Sequence, residues 1–208
     1  ASIIIITFPK LATLSLRSWC RPLQQLTFDD ISAIAAACPN LEVLTLGMFS
    51  LAPGAIPALS QLNPTTLRIL EFNHCEGSFD GFETAVSGLL AMESFSFNGS
   101  RGDINLRGLA KLPKLHSVNV FFGRVQNQEG VLALRGSTSI RCIPGCGQDD
   151  FNPPLSELRT FIHSLPSLET FAISGTPAWD TRVNGLANAL PELPSLPLNV
   201  PEEEAPAF

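Results

Sequence analysis

One spacing of apolar residues runs through most of the chain. In CPNLEVLTL, residues 38–46, Leu41, Leu44 and Leu46 stand at L-x-x-L-x-L spacing. Alternate side chains of an extended strand share a face, so the leucines turn inward while Val43, Thr45 and Gly47 turn outward. The phrase returns about every 26 residues, which marks a repeat architecture. Leu11, Leu14 and Leu16 fill it in FPKLATLSL, Leu67, Leu70 and Phe72 in PTTLRILEF, Met92, Phe95 and Phe97 in LLAMESFSF, and Leu115, Val118 and Val120 in LPKLHSVNV. STSIRCIPG keeps Ile140 and Ile143 but then meets Gly145, so the sixth unit is irregular. LPSLETFAI restores the spacing with Leu168, Phe171 and Ile173, and PELPSLPL offers Leu193, Leu196 and Leu198.

Between these strands the apolar period lengthens. In FDDISAIAAA, residues 28–37, Phe28, Ile31, Ile34 and Ala35 share one helical face, and Asp29 or Asp30 can cap its start. Pro39 disfavours helical geometry in the residue before it and ends the helix near Cys38. Residues 81–90 and 155–165 read as similar helices, 52–62 as a short proline-broken one, and 106–112 as a single turn. Residues 123–154 resist the template. Gly145-Cys146-Gly147, Asp149, Asp150 and Pro153-Pro154 read as a loop inserted after an irregular strand, either a tolerated surface loop or one of the insertions that solenoids use for binding. Proline and three glutamates, Glu202 to Glu204, make 201–208 an acidic tail.

The repeated phrase resembles the leucine-rich repeat. That resemblance implies an α/β solenoid over residues 1–200, of about eight repeats, with an irregular repeat and loop insertion at about 123–154. A curved parallel sheet would form the concave face, and short helices and loops the convex face. A single strand with three inward residues cannot bury itself, so each repeat needs a neighbour on both sides. Burying one such leucine contributes roughly 1.5–3 kcal/mol. On this reading Leu44→Asp abolishes cooperative folding and Thr45→Asp leaves it nearly intact. Ile3, Ile4, Ile5 and Ile6 are placed to cover the exposed end of the first repeat as an edge strand.

One unit is more specific. A helix running into C-P-x-L-x-x-L-x-L, carried by Leu26, Ile31, Ile34, Cys38, Pro39, Leu41, Leu44 and Leu46, resembles the repeats of F-box proteins. The resemblance implies a protein-protein interaction module, the substrate-recognition arm of an F-box-like ubiquitin ligase receptor. Its partner would be a protein on the concave face, with a ligase adaptor bound through a segment preceding Ala1, since no F-box occurs in this sequence. Two other leucine-rich repeat roles fit the same pattern: a free-standing scaffold or inhibitor of the ribonuclease-inhibitor-like kind, and an extracellular recognition protein.

Composition narrows these readings. Hydrophobic residues make up 45% of the chain and charged residues only 15%, below the roughly 25% of soluble domains, which suits a long buried spine. A net charge of −6, with 13 basic residues scattered along the chain, argues against nucleic acid. No apolar run reaches membrane-spanning length, so no membrane partner is expected. The five cysteines are odd in number and do not fall in flanking pairs, which points to a reducing compartment, cytoplasm or nucleus. Asn98-Gly99-Ser100, a glycosylation sequon, and Arg101-Gly102-Asp103 are what an extracellular protein would use.

Catalytic chemistry finds little to build on. His74, His116 and His163 lie in different repeats without metal-ligand spacing, and Cys142-x-x-x-Cys146 lacks a second pair. No catalytic residue, metal or cofactor is expected. The informative positions are the outward strand residues and those just beyond them. Arg17, Trp19, Met48, Phe49, Asn73, His74, Asn98, Asn119, Phe121 and Phe122 are the candidate partner-binding set. Arginine and aromatic residues dominate interface energetics, so Arg17, Trp19, Phe49 and Phe121 are its expected centre, unless an aromatic among them folds over the core edge as part of a packing spine, which the sequence leaves equally open.

Overall fold

A computed structural model of the chain describes residues 8–19, 22–100, 102, 104–121, 131–147 and 154–173. In chain order the first half holds β1 (Thr13–Arg17), β2 (Gln25–Leu26), α1 (Phe28–Ala37), β3 (Val43–Gly47), β4 (Ser50–Leu51), β5 (Ile69–Asn73), β6 (Glu76–Gly77) and α2 (Phe82–Val86). The second half holds β7 (Ser94–Asn98), β8 (Ser117–Phe121), β9 (Cys142–Gly147), α3 (Leu155–His163) and β10 (Thr170–Ile173). Tight 3-10 turns occupy Ile56–Gln61 and Leu106–Lys111.

The strands of the repeated phrase form one seven-stranded sheet in the order β1-β3-β5-β7-β8-β9-β10, each pair parallel. The short β2, β4 and β6 form a second parallel sheet. Sheet order therefore follows chain order, as an α/β leucine-rich-repeat-like solenoid requires. Register keeps equivalent residues side by side. Leu14, Leu44, Leu70, Phe95 and Val118 make one row, and Leu16, Leu46, Phe72, Phe97 and Val120 another. Both rows are buried except on the edge strand β1, where Leu14 and Leu16 are half-buried. Phenylalanines fill the middle of the core: Phe72 meets Phe79 edge-on at a centroid distance of 5.4 Å, and Phe79 meets Phe97 at 4.9 Å. Strands stack about 4.8 Å apart while packed helices need 8–10 Å, so the sheet side is the shorter and therefore concave.

The convex elements follow the sequence with corrections. α1 starts at Phe28 as expected, but its cap is Thr27 rather than Asp29 or Asp30. The Thr27 hydroxyl accepts from the Asp30 N–H at 3.3 Å while the Asp30 carboxylate accepts from the Thr27 N–H at 2.8 Å, a reciprocal capping box. Two expected helices are shorter: 81–90 keeps only α2 and 52–62 tightens to a 3-10 turn, while 106–112, expected as a single turn, is a short 3-10 turn. Within 123–154, Val131, Leu132, Leu134 and Ile140 are core residues and β9 joins the sheet, so residues 131–147 form a repeat in their own right. Its register slips between β8 and β9, where Ser117 pairs with Cys142 but Val120 pairs with Cys146. Pro144, which has no N–H to give a ladder, lies in that bulge. The isoleucines at 3–6, the phrase at 191–198 and the tail at 201–208 lie outside the described residues.

Candidate functional site

Register brings Arg17, Gly47, Asn73 and Asn98 into one row at the C-terminal ends of β1, β3, β5 and β7. The backbone ladder continues one residue further: the N–H of Ser18 donates to Gly47 O at 3.0 Å, that of Met48 to Asn73 O at 2.8 Å, and that of His74 to Asn98 O at 2.7 Å. At this extra rung Met48, His74 and Gly99 all take left-handed geometry, with φ of 59°, 54° and 61°. Left-handed backbone costs an L-residue roughly 1–2 kcal/mol, and only Gly99 escapes that cost. The next residues in each repeat, Phe49, Cys75 and Ser100, drop into the interior and are nearly or fully buried. Their polar groups close the turn. Ser100 Oγ accepts from the Cys75 N–H at 2.9 Å and donates to Phe72 O at 3.1 Å, and Cys75 Sγ donates to Leu46 O at 3.3 Å.

That geometry sorts the expected contact residues. Arg17, Met48, Asn73, His74 and Asn98, joined by Gly47, line one depression of about 320 Å³ on the concave side. Phe49 leaves the contact set for the packing alternative: the left-handed Met48 turns the chain over, and the Phe49 ring packs in the core at 6% exposure. Trp19 is 76% exposed and stands apart from the depression. Asn119 lies one row down on β8, and its buried Oδ1 has no hydrogen-bond partner among the described residues. Phe121 pairs in register with Asn98, which places it at the end of the same row, and Phe122 lies outside the described residues.

Two glycines make the depression possible. A Cβ at Gly47 would come within 2.9 Å of Arg17 Cγ, so the Arg17 side chain lies across the β3 backbone where any other residue would lift it. A Cβ at Gly99 would strike the His74 ring, which lies across the next repeat in the same way. Gly47 was legible only as a gap in the outward row, and nothing in the sequence tied it to Arg17. Among the described residues Arg17 makes no ion pair, the side-chain amides of Asn73 and Asn98 make no hydrogen bond, and no carboxylate lines the depression. In the row below, the Glu71 carboxylate accepts from the Thr45 hydroxyl at 3.0 Å.

Reactive groups lie elsewhere. Burial pushes the thiols of Cys38, Cys75 and Cys142 above their ordinary pKa, so they stay protonated and weakly nucleophilic at neutral pH. All three are free thiols. Among the described residues no group of three His, Cys, Asp or Glu side chains is placed to hold a metal ion, and no helix is long and apolar enough to cross a membrane.

No family profile and no curated protein sequence matches the chain. Among solved structures, the crystal structure of an internalin C2 from Listeria monocytogenes is similar over 85% of this chain and 77% of that chain, at 16% sequence identity and a TM-score of 0.43. The solenoid assignment rests on the sheet order and register of this chain itself.

Proposed function

We propose that this chain is a protein-protein interaction module that grips its partner on the concave face, at the C-terminal ends of β1, β3, β5 and β7. The observation that carries this reading is the depression lined by Arg17, Gly47, Met48, Asn73, His74 and Asn98, two of whose residues hold left-handed backbone. Unfavourable backbone at non-glycine positions persists where the surrounding structure imposes it, and it clusters at binding sites. Trp19, exposed beyond β1, and the row neighbour Phe121 extend the contact on either side. Partner capture from cell extract with the wild-type chain, an Asn73→Glu/Asn98→Glu variant and an Ala33→Glu/Ala36→Glu variant on α1 tests it. A partner retained by the α1 variant and lost from the concave variant supports the reading, and the reverse pattern overturns it.

The finer reading is the substrate-recognition arm of an F-box-like ubiquitin ligase receptor in the cytoplasm or nucleus. It rests on the unit from Leu26 to Leu46, in which a capped α1 ends with the Cys38 N–H bonded to Ile34 O at 2.9 Å, and on the free thiols, which suit a reducing compartment. Immunoprecipitation from the protein's own cells is the test. A ligase adaptor recovered with the protein supports it, and a substrate-like partner recovered without any ligase subunit returns the reading to a free-standing scaffold. A glycan on Asn98 would occupy the depression itself and would move the protein to an extracellular role.

A further inference from the structure

We propose that the concave depression is a carboxylate-reading pocket, which takes the side chain of a glutamate or aspartate presented on an extended segment of the partner. This deepens the protein-binding reading and rests on it. Among the described residues the lining supplies donors and no competing acid. Arg17 offers five N–H groups in a planar fork, Asn73 and Asn98 offer two each, and His74 offers at least one, while no carboxylate lines the depression among the described residues. Neither amide is engaged with another described side chain, and Arg17 has no ion-pair partner among the described residues. A donor set with no acid partner among the described residues, around a depression of about 320 Å³, is complementary to an anion that brings acceptors only.

The backbone explains why those donors converge. Arg17 and Asn73 sit on strands two apart in the sheet, about 10 Å between their backbones. Gly47 lets the arginine lie across the intervening strand and closes that gap, and Gly99 does the same for the His74 ring. Glu71 lies one row down with a carboxylate oxygen accepting from the Thr45 hydroxyl. One formal positive charge matches a carboxylate better than a phosphoryl group, whose charge approaches about −2. In a chain of net charge −6, the pocket is a local exception that selects an acidic group while the remaining surface repels strongly acidic partners.

The test is a titration of the isotope-labelled chain with three blocked pentapeptides, Ac-Gly-Ser-Glu-Ser-Gly-amide and its glutamine and phosphoserine counterparts, followed by NMR. Binding as proposed produces saturable shifts at the backbone amide of Gly47 and the side-chain amides of Asn73 and Asn98 with the glutamate peptide. The glutamine peptide requires about tenfold higher concentration or more, and Arg17→Gln weakens the glutamate peptide by a similar factor while the rest of the spectrum keeps its dispersion. Equal response to glutamate and glutamine, no saturable shift at those groups, or an Arg17→Gln variant that binds unchanged overturns the pocket. Tighter binding of the phosphoserine peptide overturns the carboxylate assignment. Because no partner is present in the tube, a failure here leaves concave-face capture standing, and a failure of capture leaves a positive titration standing.

Discussion

Thr45 and Glu71, 26 residues apart in sequence, sit side by side on the concave face, and the Thr45 hydroxyl donates to a Glu71 carboxylate oxygen at 3.0 Å. Thr45 is only 7% exposed although it points away from the core. Outward therefore does not mean free. Alternation alone makes Thr45→Asp harmless, but a second carboxylate beside Glu71 adds like-charge repulsion and removes a part-buried hydrogen bond. The expected loss is about 1–3 kcal/mol in urea unfolding, against under about 0.5 kcal/mol for Thr13→Asp on the exposed edge strand. Leu44→Asp, at a fully buried position, abolishes the cooperative transition.

His74 and Gly99 respond to substitution with opposite signs. His74 spends backbone energy at φ 54°, so His74→Gly raises the unfolding free energy by roughly 0.5–1 kcal/mol while it weakens partner binding. Gly99→Ala places a Cβ against the His74 ring at φ 61° and lowers stability by about 1–2 kcal/mol. Thermal unfolding beside a binding assay separates the two. A loss of stability in His74→Gly contradicts the strain argument.

A charged row borders the opposite end of the sheet, where Glu42, Arg68, Glu93, His116, Arg141 and Glu169 follow one another along an unbroken backbone ladder. Arg68 holds Glu93 with two hydrogen bonds, at 3.0 Å and 2.8 Å, and reaches Glu42 at 3.8 Å. The hydrogen-bonded guanidinium holds the Glu93 carboxyl below its ordinary range. A carboxyl whose folded pKa is depressed contributes stability above its unfolded pKa and loses that contribution as the pH falls through the folded value. The pair is exposed, so the effect is small and screened by salt. Unfolding temperature followed from neutral to acid pH at low salt falls more steeply for wild type than for Arg68→Gln, and the difference shrinks in high salt.

The strands and their inward rows were legible because a two-residue period needs only composition at alternate positions, and Leu44, Leu70 and Phe95 meet in register as the spacing predicts. The turn after each strand was not. Left-handed backbone announces itself through glycine, as at Gly99, but Met48 and His74 carry the same conformation without that signal. The sequence therefore left Phe49 open between surface contact and core packing, when its repeat equivalents Cys75 and Ser100 are interior residues. The convex elements shrank for a related reason. Neighbouring repeats bury Ile56, Leu59, Leu106 and Leu109 through packing, and helix propensity alone does not set their length. Of the candidate site, the residues that converge were all visible in the sequence, but their convergence depends on Gly47 yielding space to Arg17.

Photo-crosslinking with a benzophenone amino acid placed at Ser15, exposed on the concave face of β1 one row below Arg17 and outside the depression, and in a separate protein at Ala33, exposed on α1, tests concave-face capture most directly. A covalent adduct with the captured partner is expected from position 15 and none from position 33. An adduct from position 33 without one from position 15 contradicts capture on the concave face.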